Sequence, residues 1–141
     1  MVDKPLINRL LANLRGYRED LHEFDNVKLD SFRVDTRTQR YAERTLHVAI
    51  ECCMDICHHL ISDQQWREPD SYADAFNVLA EHGVLTSEAA TKYRLMAQFR
   101  NKLVHYYEKI ESEQVLSIAR LRADDFIDFA ASIEVWLAQQ N

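Results

Sequence analysis

Apolar side chains return at three- and four-residue steps along nearly the whole chain, and only two glycines and two prolines interrupt them in 141 residues. That spacing is the period of an α-helix seen from one side; a strand would alternate every second residue. With so few turn residues a sheet topology is hard to close, so the expected fold class is all-α. Hydrophobic residues at 47% and charged residues at 28% belong to a compact chain rather than a disordered one. At this length, residues 1–141 are expected to form a single domain around one core.

Ile7, Leu10, Leu11, Leu14, Tyr17, Leu21 and Phe24 mark a first helix, with Asp3 and Pro5 as start signals. From Asp25 to Asp35 the period breaks, leaving a connection with room for one short turn. Thr36 followed by Gln39 has the form of a capping box and opens a long second helix from Arg37 to Ile61, with Leu46, Ile50, Cys53, Cys57 and Leu60 facing inward. Beyond a polar stretch to Asp70, Ser71 is a good N-cap for a short helix from Tyr72 to His82 that stops at Gly83. Thr86 and Ser87 open the next helix, through Tyr93, Met96, Ala97 and Leu103. A polar break at Glu108 to Ser112 precedes a final helix carrying Val115, Ala119, Phe126, Phe129, Ile133, Trp136 and Leu137, with a kink expected between Leu121 and Asp125. The predicted architecture is an antiparallel up-and-down bundle of four main helices plus one short helix.

Formal net charge −6 argues against general coating of nucleic acid, which would want a basic domain. Cys52, Cys53 and Cys57 crowd into one helical segment and are odd in number, so they read as reduced core residues rather than a disulfide framework. No charged-then-apolar leader opens the chain and no uncharged run approaches a membrane span, so a cytoplasmic protein with no membrane association is expected.

Against this acidic background, the window from Ala89 to Tyr107 holds Lys92, Arg94, Arg100 and Lys102 and no carboxylate. Its end, Arg100-Asn101-Lys102-Leu103-Val104-His105-Tyr106-Tyr107, sets a permanent cation, an amide and an imidazole beside two phenols, a set suited to phosphodiester chemistry. Cleavage of RNA by its own 2′-hydroxyl needs a group to take a proton, one to return it to the leaving oxygen, and a cation for the crowded phosphate. Imidazole exchanges protons near neutral pH. Guanidinium stays charged and offers phosphate a planar fork. Arg100 and His105 are therefore the candidate catalytic residues, Asn101 a supporting one, and neither metal nor cofactor is required by this chemistry.

Arg100-Asn101-x-x-x-His105-x-Tyr107 resembles the Arg-x(4 to 6)-His signature of the HEPN superfamily of helical ribonucleases. The tyrosine two residues after the histidine is similar to the HepT toxins of HEPN-MNT toxin-antitoxin systems. So is the run Ala49-Ile50-Glu51-Cys52-Cys53-Met54-Asp55-Ile56-Cys57-His58-His59-Leu60 in the second helix. The resemblance covers nearly the whole chain. It implies a HEPN-like bundle, an endoribonuclease toxin that dimerises with its motifs facing one cleft, and a cognate MNT-type nucleotidyltransferase antitoxin. It also implies that the antitoxin silences the toxin by transferring AMP to Tyr107, a charge-adding modification beside the cation meant for RNA phosphate. Five helical steps would turn His105 about 140° away from Arg100. Either the helix ends or distorts near Val104, or a second copy completes the pair, and a homodimer is expected.

Plainer readings compete. His105 near a helix end can be a capping cation and Tyr106 a packing residue. Asp55 either faces the motif and orders Arg100 or His105, or forms a surface ion pair. Arg37, Arg40 and Arg44 make a basic face that is either solvated or part of an RNA or antitoxin surface. His47, Glu51 and Asp55 follow at four-residue steps, but carboxylate-bridged metal bundles need a second set on facing helices. Cys53, Cys57 and His58 lack a fourth zinc ligand. No Gly-rich phosphate loop, serine triad or aromatic stacking platform is evident. The rival to an enzyme is a non-catalytic helical module that binds a nucleotidyltransferase or a nucleotide.

Overall fold

The computed structural model describes residues 2–106, 108 and 110–140. Among them are seven α-helices and no strand: α1 (Lys4–Leu21), α2 (Leu29–Val34), α3 (Thr36–Gln64), α4 (Asp74–Glu81), α5 (Ser87–His105), α6 (Ser112–Leu121) and α7 (Ala123–Ala138). The all-α bundle is as expected, but the chain is divided more finely. The connection after α1 holds a 3₁₀ turn, His22–Phe24, and the short helix α2, because Phe24 and Phe32 both turn inward and meet edge to face at 6.3 Å. The expected kink in the last helix is a full break at Arg122, which separates α6 from α7.

Two starts also move. Asp35, not Thr36, caps α3: its carboxylate accepts the Thr38 backbone N–H at 3.1 Å, while the Gln39 side chain reaches back to the Phe32 and Arg33 carbonyls. An aspartate satisfies an orphan N–H as well as a threonine would and adds a charge that suits the helix dipole. Ser71 accepts the Asp74 N–H, so α4 begins two residues later than its sequence signal suggests. Gly83 does end that segment, at φ +76°, a backbone conformation that costs glycine little.

α3 is the axle. Leu46, Ile50, Cys53, Cys57 and Leu60 are all buried on its inner face, between α1, α4, α5 and α7. The Asp3 N–H donates to Asp63 near the end of α3, and the Tyr41 hydroxyl near its start donates to Glu23 just beyond α1, so the two helices are antiparallel. Tyr93, Phe76 and Phe129 form an aromatic knot joining α5, α4 and α7, with Phe129 edge to face against both other rings. The Tyr93 hydroxyl, carried into this core, donates to the Asp125 carbonyl at 3.1 Å. The three cysteines are free and buried, and burial holds the Cys53 and Cys57 thiols well above their ordinary range.

Candidate active site

α5 carries the sequence motif at its C-terminal end, and it reaches His105 as one continuous helix. Its inward residues, Tyr93, Met96, Ala97 and Phe99, fix its rotation against the core. That rotation sends Arg100 toward α3, with only 15% of its side chain exposed, and leaves His105 exposed. The pair is thus split around the helix axis within one chain, as the helical period requires.

Arg100 is held from several sides. Its Nε and Nη2 donate to Glu51 Oε1 at 3.2 and 2.5 Å, and Nη1 donates to Asn101 Oδ1 at 3.1 Å. The Tyr72 ring, from the α3–α4 loop, lies 5.6 Å from the guanidinium carbon. Glu51 in turn accepts from His47 Nε2 at 3.0 Å, and His47 Nδ1 meets Arg44 Nη1 at 3.3 Å. A guanidinium can only donate, so His47 Nδ1 accepts from Arg44 and the imidazole proton sits on Nε2, pointing at Glu51. Arg44, His47, Glu51 and Arg100 therefore form one directed chain of polar contacts. Burial alone would raise the Glu51 carboxyl, but hydrogen bonds from Arg100 and then His47 outweigh it and hold the group below its usual value.

The supporting residue expected from α3 was Asp55, and Glu51, one turn earlier, is the carboxylate that reaches Arg100. Asp55 is exposed and, among the described residues, makes no hydrogen bond to Arg100 or His105. Partial desolvation, with the negative charge of Glu51, raises its carboxyl. Asn101 does touch Arg100, as expected of a supporting residue. Tyr106 is 58% exposed rather than half-buried packing, its ring 6.4 Å from that of His105. Tyr107, the expected modification site, lies outside the described residues. On the arginine face of α3, Arg37, Arg40 and Arg44 are exposed, with Arg40 paired to Glu43. Among the described residues, no group of three histidine, cysteine or acidic side chains is placed to hold a metal ion.

Two contributors were missed in the sequence. Glu51 had a visible signal, its four-residue spacing from His47 and Asp55, but the same pattern serves any polar helix face. Tyr72 had none, since only the fold brings it to a motif 28 residues away.

The described residues thus form an α-helical bundle whose α5 carries a tethered arginine and, at its end, an exposed histidine, in the spacing that resembles the HEPN signature. The family profile described as ribonuclease HepT-like matches residues 14–133, and the chain belongs to that family. The chain is 28% identical over 114 residues to the tRNA nuclease HepT of Aphanizomenon flos-aquae, covering 81% of this chain and 78% of that one. It is 29% identical over 98 residues to the mRNA nuclease HepT of Shewanella oneidensis, covering 70% and 74%. Among solved structures, a tri-AMPylated Shewanella oneidensis HEPN toxin in complex with MNT antitoxin shares the fold at TM-score 0.84 and 24% identity, over 96% of this chain and 99% of that one. The Bacillus subtilis cytosolic protein YutE shares it at TM-score 0.84 and 22% identity, over 99% and 93%. Among the described residues, no helix is long and apolar enough to cross a membrane.

Proposed function

We propose that this protein is a metal-independent endoribonuclease toxin of the cytoplasm, acting as a homodimer on cellular RNA and silenced by a cognate MNT-type nucleotidyltransferase. The observation that carries the reading is the tethering of Arg100. Of its five N–H groups, three are engaged, by Glu51 twice and Asn101 once, which leaves one on each Nη. A guanidinium so held is prealigned for a phosphate oxygen and needs no reorganisation when charge develops there.

In this reading His105 takes the proton from the attacking 2′-hydroxyl and a proton is returned from imidazole to the leaving 5′-oxygen. Exposed at the end of α5, His105 is presented for a cleft shared with a second copy rather than for the Arg100 of its own chain. Asn101 supports Arg100, and in this reading Glu51 takes the positioning role expected of Asp55. Adenylylation of Tyr107 would add phosphodiester charge and bulk that compete with RNA, electrostatically and sterically. Family membership and the AMPylated state of the Shewanella toxin support this silencing step.

The test has three arms. Purified protein should cleave RNA in the presence of chelator and lose the activity on His105→Ala; a folded dimer that binds RNA or a partner but cuts nothing would favour the non-catalytic module. Expression alone should arrest growth and co-expression with the nucleotidyltransferase should relieve it. Intact mass after that co-expression should rise by whole AMP units in wild type and stay unmodified in Tyr107→Phe.

A further inference from the structure

The α3–α4 loop sets an exposed aromatic ring against Arg100, and the bundle core does not need it there. Gln65 ends α3 in the left-handed region at φ 56°, turning the chain out. Trp66 then stacks on His82 at 4.2 Å and meets Trp136 edge-on at 5.7 Å. Arg67 donates to Glu81 through Nε and to Asp74 through both Nη atoms, and Asp74 also receives the Asp70 backbone N–H. Ser71 closes onto the start of α4. The backbone is thus pinned on both sides of Tyr72.

Tyr72 itself is 56% exposed. Its hydroxyl makes no hydrogen bond among the described residues; its ring touches only Arg100 and, edge to face at 5.8 Å, His58 in the aromatic and cationic contacts of the site. A single exposed aromatic is ordinary on a protein surface. Tyr41, for example, is exposed but commits its hydroxyl to Glu23. What sets Tyr72 apart is the combination of a rigid mount, an open ring and a half-free guanidinium against it. Recognition of single-stranded RNA uses the same pairing, a π-face for a base and a cation for the adjoining phosphate.

We propose that Tyr72 is the base-stacking platform of the RNA site: the base beside the scissile phosphate lies on the open part of its ring while that phosphate takes the two free N–H groups of Arg100. Stacking accepts any base, so Tyr72 adds affinity and register without choosing a sequence. The inference rests on the ribonuclease reading above, and it supplies the stacking element that the sequence alone did not reveal.

The test uses the unmodified full chain, its mass checked, with an oligoribonucleotide cut at one bond and a series carrying a single abasic nucleotide at each position. For wild type, one abasic position beside the cut should weaken binding about tenfold, equivalent to roughly 1.4 kcal/mol for one stacked base. Tyr72→Ala, shown folded by circular dichroism, should lose about as much on the intact oligonucleotide and pay no further penalty at that position. Tyr72→Phe and Tyr72→Trp should stay close to wild type. The proposal is overturned if Tyr72→Ala keeps the full abasic penalty, or if Tyr72→Phe is as impaired as Tyr72→Ala. Absence of cleavage by wild type would remove the ribonuclease reading alone. Fluorescence anisotropy of the same oligonucleotides then decides the platform without chemistry: base dependence erased by Tyr72→Ala sustains it, and base-independent binding ends it.

Discussion

Arg100 and His105 stand five residues apart on one helix and occupy opposite environments. Arg100 is nearly covered, its guanidinium shared between Glu51, Asn101 and the Tyr72 ring. His105 is exposed at the helix end. The difference teaches that the fold of a single chain fixes one end of the motif in advance and presents the other outward; in the function proposed above, these are the phosphate-binding and the proton-transfer halves of the site. A group that must meet charge in the transition state gains from being held in advance. A group proposed to exchange protons can remain beside solvent until substrate arrives.

The largest expected effect tests that division directly. Arg100→Ala and His105→Ala should each reduce RNA cleavage by about a hundredfold or more; the exposed His105 can be lost with the thermal melt close to wild type, whereas Arg100→Ala should also lower the melt because it leaves the Glu51 carboxylate without its main partner. Unfolding and co-refolding the two variants together should restore about a quarter of wild-type activity, because half of randomly mixed dimers would carry one intact composite site out of two. No recovery on mixing would place both groups of a working site in one chain. Arg100→Lys should not rescue, since an ammonium lacks the planar fork that reaches Glu51 through two nitrogens and Asn101 through a third while keeping a donor on each Nη for phosphate.

Next in size is Glu51. Glu51→Leu should lower kcat by up to about a hundredfold through misplacement of the guanidinium, whereas Glu51→Gln keeps an acceptor and should fall less. If Glu51→Leu leaves kcat intact and Asp55→Asn lowers it, the supporting role belongs to Asp55 after all.

The same contact has a pH signature. The Glu51 carboxyl is held down in the folded state, so its contribution to stability is fully present above the ordinary glutamate pKa of about 4.3 and is lost as pH falls through the lower, folded value. Comparing thermal melts of wild type and Glu51→Gln from neutral pH downward should show the two curves converging in acid. A constant gap would mean that Glu51 is not coupled to Arg100.

The smallest effect lies away from the site. Tyr93→Phe removes a buried hydroxyl that donates to the Asp125 carbonyl, and should cost about 1 kcal/mol in denaturant unfolding with cleavage unchanged. A loss of activity there would show that the α5–α7 contact helps to aim Arg100.

The all-α fold was legible because helical periodicity is local: the stripes from Ile7 to Phe24 and from Leu46 to Leu60 depend only on residues a turn or two apart. The candidate residues Arg100, Asn101 and His105 stood out for the same reason, lying within six residues of one another. Helix ends were less so, because Asp35 and Thr36 both carry capping oxygens and local pattern does not choose between them. The local positive window was read correctly as sequence and incompletely as electrostatics. The tertiary structure brings Glu51 to Arg100 and Asp125 to Lys92, supplying the carboxylates that the window itself lacks.

The amino-acid order by itself therefore determined the class of fold, the family and where the candidate motif lies. Only the tertiary structure decided that the carboxylate on Arg100 is Glu51 rather than Asp55, that Tyr72 stands beside it, and that His105 faces away. The physical reason is range. Which face of α3 meets α5 is set by the packing of Ile50, Cys53, Tyr93, Met96 and Phe99, and a change of one residue in a helix turns a side chain by about 100°.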